Sequence, residues 1–441
     1  MESYLLTSYS KEGIDAEDVI KEVAMIKRWL SVLLYTAAFC LLLVQPTQAA
    51  DAVQVDLNGL PVEFDTPAII HNDRVMVPFR GLAELLDVEV NWLAGNQTVV
   101  ADSPKFQVRL QVGNSTAYQN STAVELDAPP LLTGGRVLVP LRFFSEAFGC
   151  QVAWTPEDDQ VSLISPPKAM EVLGYYALGD KTSSSWEDLF GKPYPKRGIG
   201  HTDLVSCVAL GWFSLDEDGN LLTKSRTGWQ RPDGWEDVLV STHSRGMSNE
   251  MTIHMVNGQN EITALLNDPD ASQRAVDQIC AEADHYDGVN LDLEGLGLSA
   301  RGTELQEIRN NYTAFATMLA KRLHQEEKTL SLSLHAPNSS YRGYDYAALG
   351  AVADKLIIMA YDYGPKPEPL TMVKEAIERT LSQVPAQKVM LGISVPSEDA
   401  RSAALKVELA KRYDLQGIAL WRLGLLDNSM WNSLSSRIVS E

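Results

Sequence analysis
The run Tyr286-Asp287-Gly288-Val289-Asn290-Leu291-Asp292-Leu293-Glu294-Gly295 crosses strand periodicity with acid. In an extended strand Asn290, Asp292 and Glu294 project to one face and Val289, Leu291 and Leu293 to the other, so two carboxylates stand side by side. Carboxylates buried on a strand are costly unless each finds a partner or shifts its pKa, which is the usual setting of acid/base catalysis. The plainer alternative is an edge strand whose acidic positions face solvent.

The elements that must position these groups follow from the apolar pattern downstream of residue 168. Eight strand-like runs are expected at Glu171–Ala177, Leu204–Trp212, Met251–Val256, Asp287–Leu293, Thr329–Leu334, Lys355–Ala360, Lys388–Val395 and Gly417–Trp421. Helical periodicity fills Ala271–Ala283, Thr303–Glu326, Thr371–Ser382, Ser397–Lys411 and Asn428–Ile438. Eight parallel strands with outer helices make a (β/α)8 TIM barrel, an α/β fold that gathers its chemistry at the C-terminal strand ends. The acidic strand is fourth of the eight. The barrel domain is assigned to residues 169–441, and Ser165-Pro166-Pro167-Lys168 is its linker.

Asp287, Gly288, Asp292 and Glu294 resemble the Asp-Gly-x-Asp-x-Asp-x-Glu signature of glycoside hydrolase family 18, the chitinase-like enzymes, with Asn290 at the third acidic position. Met359-Ala360-Tyr361-Asp362 resembles the family's Met-x-Tyr-Asp element, and Trp421 ends strand eight, where the family has a tryptophan under the −1 sugar. The resemblance implies substrate-assisted hydrolysis with retention. Glu294 would be the general acid, its pKa raised by Asp292. Asp292 would orient the substrate acetamido group, Tyr361 would donate to its oxygen, and Asp362 would hold either in place. Asp287, Asn290 and Met359 would line the substrate site, as would Tyr175 and Tyr176 on strand one and Asn257 at the end of strand three, although these last three also suit structural roles. Asn cannot titrate, so at position 290 it implies retuned activity, and it resembles the spore-associated branch acting on peptidoglycan. No cofactor or metal is expected. Only about twenty residues separate strands seven and eight, which leaves no room for the α+β insertion of many chitinases.

Residues 51–165 repeat internally at a shift of 62: Arg74-Val75-Met76-Val77-Pro78-Phe79-Arg80 matches Arg136-Val137-Leu138-Val139-Pro140-Leu141-Arg142, and Val88–Trp92 matches Cys150–Trp154. Each unit reads as strand, short helix (Gly81–Leu86, Phe143–Phe148), strand, turn, strand, a duplicated α+β, β-rich module. It resembles the copper amine oxidase N-terminal-like, or stalk, domain of secreted bacterial proteins, and the resemblance suggests wall attachment or a spacer. His71 is its only histidine, so it offers no copper site. Trp92 and Trp154 read as core, with sugar stacking as the rival role.

Residues 1–50 hold a signal-like pattern. Lys27 and Arg28 precede an apolar run from Trp29 to Val44, and Thr47-Gln48-Ala49-Ala50 suits cleavage. Met25 is the expected start of translation, and a retained anchor is the alternative to cleavage. The chain is therefore read as a secreted or cell-wall-associated bacterial protein. A formal charge of −21 excludes a phosphate-tracking surface, and with it nucleic acid as a partner. Cys40, Cys150, Cys207 and Cys280 are too scattered for a metal knuckle or disulfide framework.

Together these observations point to a monomeric secreted glycosidase acting on an N-acetylglucosamine polymer, with bacterial wall glycan favoured over chitin. A catalytically silent, lectin-like wall protein on the same fold is the rival from another class, which the retention of Glu294 argues against. A structural surface-layer role leaves the acidic cluster unexplained.

Overall fold
The apolar runs of the C-terminal two-thirds are near-continuous because both faces of a parallel barrel strand are buried. The computed structural model describes residues 53–176, 184–224 and 229–440, with Lys21, Ala24 and Met25. The expected signal segment falls outside the described residues apart from Met25. Among the described residues, no helix is long and apolar enough to cross a membrane.

Eight parallel strands close on themselves: β1 (Lys168–Tyr176), β2 (Cys207–Leu215), β3 (Ser248–Val256), β4 (Gly288–Glu294), β5 (Thr329–His335), β6 (Lys355–Met359), β7 (Val389–Ser394) and β8 (Gly417–Trp421). They run in sequence order, and β1 hydrogen-bonds both β8 and β2. Each strand's helix-facing side chains join one large core, of which Val289, Leu291 and Leu293 are part. A smaller cluster of Leu173, Tyr175, Cys207, Ala209, Ile357, Met390 and Ala419 fills the barrel interior, with Trp421 against it. Nearer the N-terminal strand ends the interior is ionic. Lys355 Nζ bonds Glu171 and lies 3.3 Å from Glu250 Oε1, which also accepts from Ser331 Oγ at 2.8 Å.

The first and third strands begin three residues before the expected Glu171 and Met251, and the helix expected from Ser397 begins at Ala400; two further departures have a visible cause. The second strand begins at Cys207, three residues after the expected Leu204, because Leu204 and Val205 donate their N–H groups to His201 O in a turn. The final helix stops at Ser435, and Ile438–Ser440 becomes a short strand beside Lys168–Met170, a tertiary pairing that overrides the helical pattern. Between β7 and β8 lies the helix Ala400–Arg412, with no inserted domain.

The duplication upstream is visible as geometry. Strands Arg74–Pro78 and Arg136–Pro140 pair antiparallel with Val77 opposite Val139, residues one repeat apart, so a local two-fold relates the halves. Each strand ends at proline, whose fixed φ opens a short helix, Phe79–Leu85 or Leu141–Ala147. Asp87 and Gly149, again one repeat apart, both take positive φ just beyond those helices. Trp92 and Trp154 are half-buried and pack against the module core. Cys150, Cys207 and Cys280 are free and buried.

Candidate active site
Strand alternation on β4 turns Asn290, Asp292 and Glu294 into the barrel, and exposure rises along the strand towards the mouth. Asn290 is fully buried, Asp292 is 3% exposed, and the Glu294 side chain retains 29% exposure. Glu294 is thus the group of the three that meets a ligand first. The strand then leaves through Gly295 at φ +87°, and the Asn257 N–H fixes that exit by donating to Glu294 O at 2.9 Å.

Two histidines flank Glu294. His254 on β3 pairs in register with Asp292, and its Nε2 lies 3.2 Å from Glu294 Oε1. His335, the last residue of β5, places Nε2 3.6 Å from Glu294 Oε2 and stacks on Tyr341 at 4.0 Å between ring centroids. These neighbours reverse the expected order of the carboxylates. Burial foremost, then the Glu294 charge, lift Asp292 to about 7, against a smaller downward pull from His254. Glu294 is also pushed up by burial, but its hydrogen bond to His254 and the charges of His254 and His335 outweigh this and leave it below the usual value. One proton shared by the pair therefore rests on Asp292 in the unliganded site. His254, Asp292 and Glu294 bring three ligand-type atoms within 4.8 Å of one another, with one hydrogen bond among them, from His254 to Glu294.

Below the pair, Tyr175 Oη is 2.5 Å from Ser333 Oγ, which donates to Asn290 Oδ1 at 3.0 Å. Asn290 Nδ2 and Asp292 Oδ1, on the same strand face, are each buried without a partner. Tyr361, at the end of β6, is held far above the ordinary phenol range by burial and by Tyr175, Asp292 and Glu294. Asp362 follows at φ +63°, and burial, Glu368 and Glu294 raise its carboxyl. Met359, the last residue of β6, is buried at 6% exposure and shares strand parity with the inward-facing Ile357. Trp421 meets Tyr175 edge-on at 5.2 Å and Trp229 at 5.6 Å, forming an aromatic wall.

Glu294, Asp292, Asn290, Tyr361, Asp362, Met359 and Trp421 therefore gather at one barrel mouth. Three expected residues do not. Asp287 lies at the strand foot, roughly 16 Å from Asp292 at ~3.3 Å per residue, and its carboxylate accepts from Asn249 N and pairs with His243 Nε2, each at 2.7 Å. Tyr176 is 1% exposed and packs against Trp212 on the helix side, because on β1 it is Tyr175 that faces inward. The Asn257 side chain is taken up by Thr263, whose N–H donates to Oδ1 at 3.0 Å. Sequence reasoning named Tyr175 beside Tyr176 without separating them, and it missed His254, His335 and Trp229. The two histidines carried a usable signal, since each sits at or near the C-terminal end of an expected strand.

Comparisons with known proteins bear on the family and the fold. The family model "Copper amine oxidase N-terminal domain" matches residues 56–163, and "Glycosyl hydrolases family 18" matches residues 173–397, just over half of the chain. YdhD of Bacillus subtilis (strain 168), whose name describes a sporulation-specific glycosylase, is 30% identical over 185 residues, covering 39% of this chain and 40% of that protein. The cortical fragment-lytic enzyme of the same organism is 24% identical over 246 residues, covering 39% of this chain and 55% of that enzyme. The chain thus spans about half the length of these curated relatives. The spore cortex-lytic enzyme SleL of Bacillus cereus shares the fold, with a TM-score of 0.51 at 18% identity over 62% of this chain and 76% of that one. An acid pair on the fourth strand of a closed eight-stranded barrel and a family match across that barrel lead to one assignment: the chain belongs to glycosyl hydrolase family 18.

Proposed function
We propose that the protein is a retaining glycoside hydrolase that cleaves β-1,4 linkages beside N-acetylglucosamine in spore-cortex or wall peptidoglycan. The carrying observation is the carboxylate pair, with buried Asp292 holding the proton and the more exposed Glu294 facing the mouth. Entry of the sugar brings an acetamido N–H to Asp292, which favours its ionised form and passes the shared proton to Glu294. Glu294 then protonates the leaving oxygen while the acetamido oxygen attacks the anomeric carbon, and Tyr361 donates to that oxygen. Asp292 stabilises the resulting oxazolinium charge, and ionised Glu294 takes the proton of the water that reopens the ring. As Asp292 turns it can meet Asn290 Nδ2, joining a buried donor and a buried acceptor that are both unpaired in the free site. Trp421 would support the sugar ring.

Peptidoglycan is favoured over chitin because the named relatives are cortical and sporulation proteins. The basic, apolar and small-residue pattern over residues 25–50 supports action outside the cytoplasm, and the stalk-like module supports wall attachment by a single chain. The test compares wild type with Glu294→Gln for release of reducing ends from cortex muropeptide glycan and from chitin oligomers. Wild type should release β-anomeric ends that Glu294→Gln does not. Equal turnover by both proteins removes the mechanism, and binding without turnover by wild type favours the lectin-like alternative.

A further inference from the structure
Asn290 cannot carry a proton, yet the structure places another ionisable group against the acid pair. His254 leaves β3 in register with Asp292, and only 13% of its side chain is exposed. Its Nε2 faces Glu294 Oε1 at 3.2 Å, whereas Nδ1 is buried and bonded to nothing. A ring with one nitrogen at a carboxylate and the other buried without a partner has one favourable neutral tautomer, with the proton on Nε2 and donated to Glu294.

We propose that His254 is the third ionisable member of the acid pair, a positioning residue that anchors Glu294 and directs the shared proton onto Asp292, supplying from β3 a titratable neighbour that Asn290 cannot supply from β4. This rests on the glycosidase reading. The groups facing it are Glu294 and Asp292 from β4. From β5, His335 Nε2 faces the opposite oxygen of Glu294 at 3.6 Å without a hydrogen bond, and beyond β6 Tyr361 and Asp362 interact with Glu294. On its own strand Glu250 lies four residues towards the foot and is engaged by Ser331 and Lys355. Burial pushes His254 down, but its hydrogen bond to Glu294 and the charges of Asp292 and Glu294 outweigh that and leave it above the ordinary imidazole value. In return His254 lowers both carboxylates. The ring therefore sets where the pair titrates as well as where Glu294 points.

Two measurements on the full chain test this. Imidazole titration by NMR of histidine-labelled protein should give a His254 midpoint in wild type that falls by roughly half a unit or more in Glu294→Gln, where the facing charge is gone. The pH dependence of kcat/KM on a soluble N-acetylglucosamine oligomer should show, in His254→Gln, an alkaline limb displaced upwards by a similar amount, because Asp292 loses a neighbouring positive charge. His254→Ala should share that displacement and add a further loss of kcat. A ring that merely packs would lower the rate evenly at all pH values. A His254 midpoint indifferent to Glu294→Gln, or an unmoved limb in folded His254→Gln, overturns the proposal. Should wild type turn over no glycan, the enzyme reading fails by itself while the NMR titration still decides the role of His254.

Discussion
Asp292 is buried with one carboxylate oxygen unpartnered and releases its proton at about 7, whereas Glu294 ionises below the usual carboxylate range. On the proposed mechanism the pair works only while it holds one proton, so the pH profile of kcat/KM should be a bell whose alkaline limb falls near pH 7 and whose acid limb lies below the ordinary glutamate value. A profile flat through pH 8 would show that the pair does not share its proton in this way. Asn290→Asp adds a like charge on the same strand face, which should move the alkaline limb upwards and leave the product anomer unchanged. The same shift affects stability. The unfolded chain loses this proton near 3.8 and the folded chain near 7, so folding is penalised increasingly as pH rises between the two. Asp292→Asn should therefore be more stable than wild type at pH 8, by on the order of 4 kcal/mol, with the gap closing towards pH 4. An equal gap at both pH values would remove the linkage. Glu294, Asp292 and Asn290 were legible in the sequence because alternation on one strand is a local property. Tyr175 and Tyr176 were not separable, since both faces of a barrel strand are apolar and parity alone does not say which face is inside. Asp287 shares the signature, but the length of the strand carries it to the foot, where it pairs with His243.

The loop after β6 is braced from behind by buried charged groups, and it carries Tyr361, the residue proposed to donate to the substrate acetamido oxygen. Asp362 takes a left-handed φ, and Glu368, 3% exposed, receives the N–H groups of Asp362 and Tyr363 on its two oxygens at 3.1 Å each. Glu368 is held in turn, since its N–H donates to Glu398 and its carbonyl accepts from Lys406, which forms a buried 2.7 Å pair with Glu398. Glu368→Ala strands two backbone donors at about 1–3 kcal/mol each and loosens the segment that carries Tyr361. We expect kcat to fall by roughly 10- to 100-fold with KM little changed, in a protein whose circular dichroism stays native; an unaltered kcat would show that the clamp does not position Tyr361. The barrel strands were legible as apolar runs, to within about three residues at their ends. The relation between strands was not. His254 meets Glu294 only through the β3–β4 register, a contact between residues forty positions apart that no local pattern encodes. The strand Ile438–Ser440 likewise exists because Lys168–Met170 offers it a free edge.

At the scale of the molecule, the duplicated module is fastened to the foot of the barrel, away from the mouth. Leu60, 2% exposed, is buried in the barrel's own core, and Arg412 at the end of helix Ala400–Arg412 donates to Leu60 O and Pro61 O at 3.1 and 2.8 Å. Asn58 Nδ2 bonds Glu408 Oε2 at 2.7 Å, and Lys168 bridges Asp87 of the module and Asp414 of the barrel at 2.5 and 2.8 Å. The repeat and the prolines at 166 and 167 revealed two modules, but a linker pattern is silent on whether they dock, because docking depends on side chains such as Leu60 and Arg412 that are far apart in sequence. An apolar anchor in a shared core makes the two modules one cooperative unit, so wild type residues 53–441 should unfold in a single calorimetric transition. Leu60→Ala removes that anchor and should cost about 2–5 kcal/mol, and Leu60→Asp, which buries an unpaired charge at the junction, should split the transition in two. Neither change lies near Glu294, so turnover of a short soluble oligomer should match wild type well below the melting range, while cleavage of intact wall falls if the module directs the barrel to its substrate. Two transitions in wild type would show that the contacts at the foot do not couple the modules, and loss of turnover on the short oligomer would show that the module shapes the mouth after all.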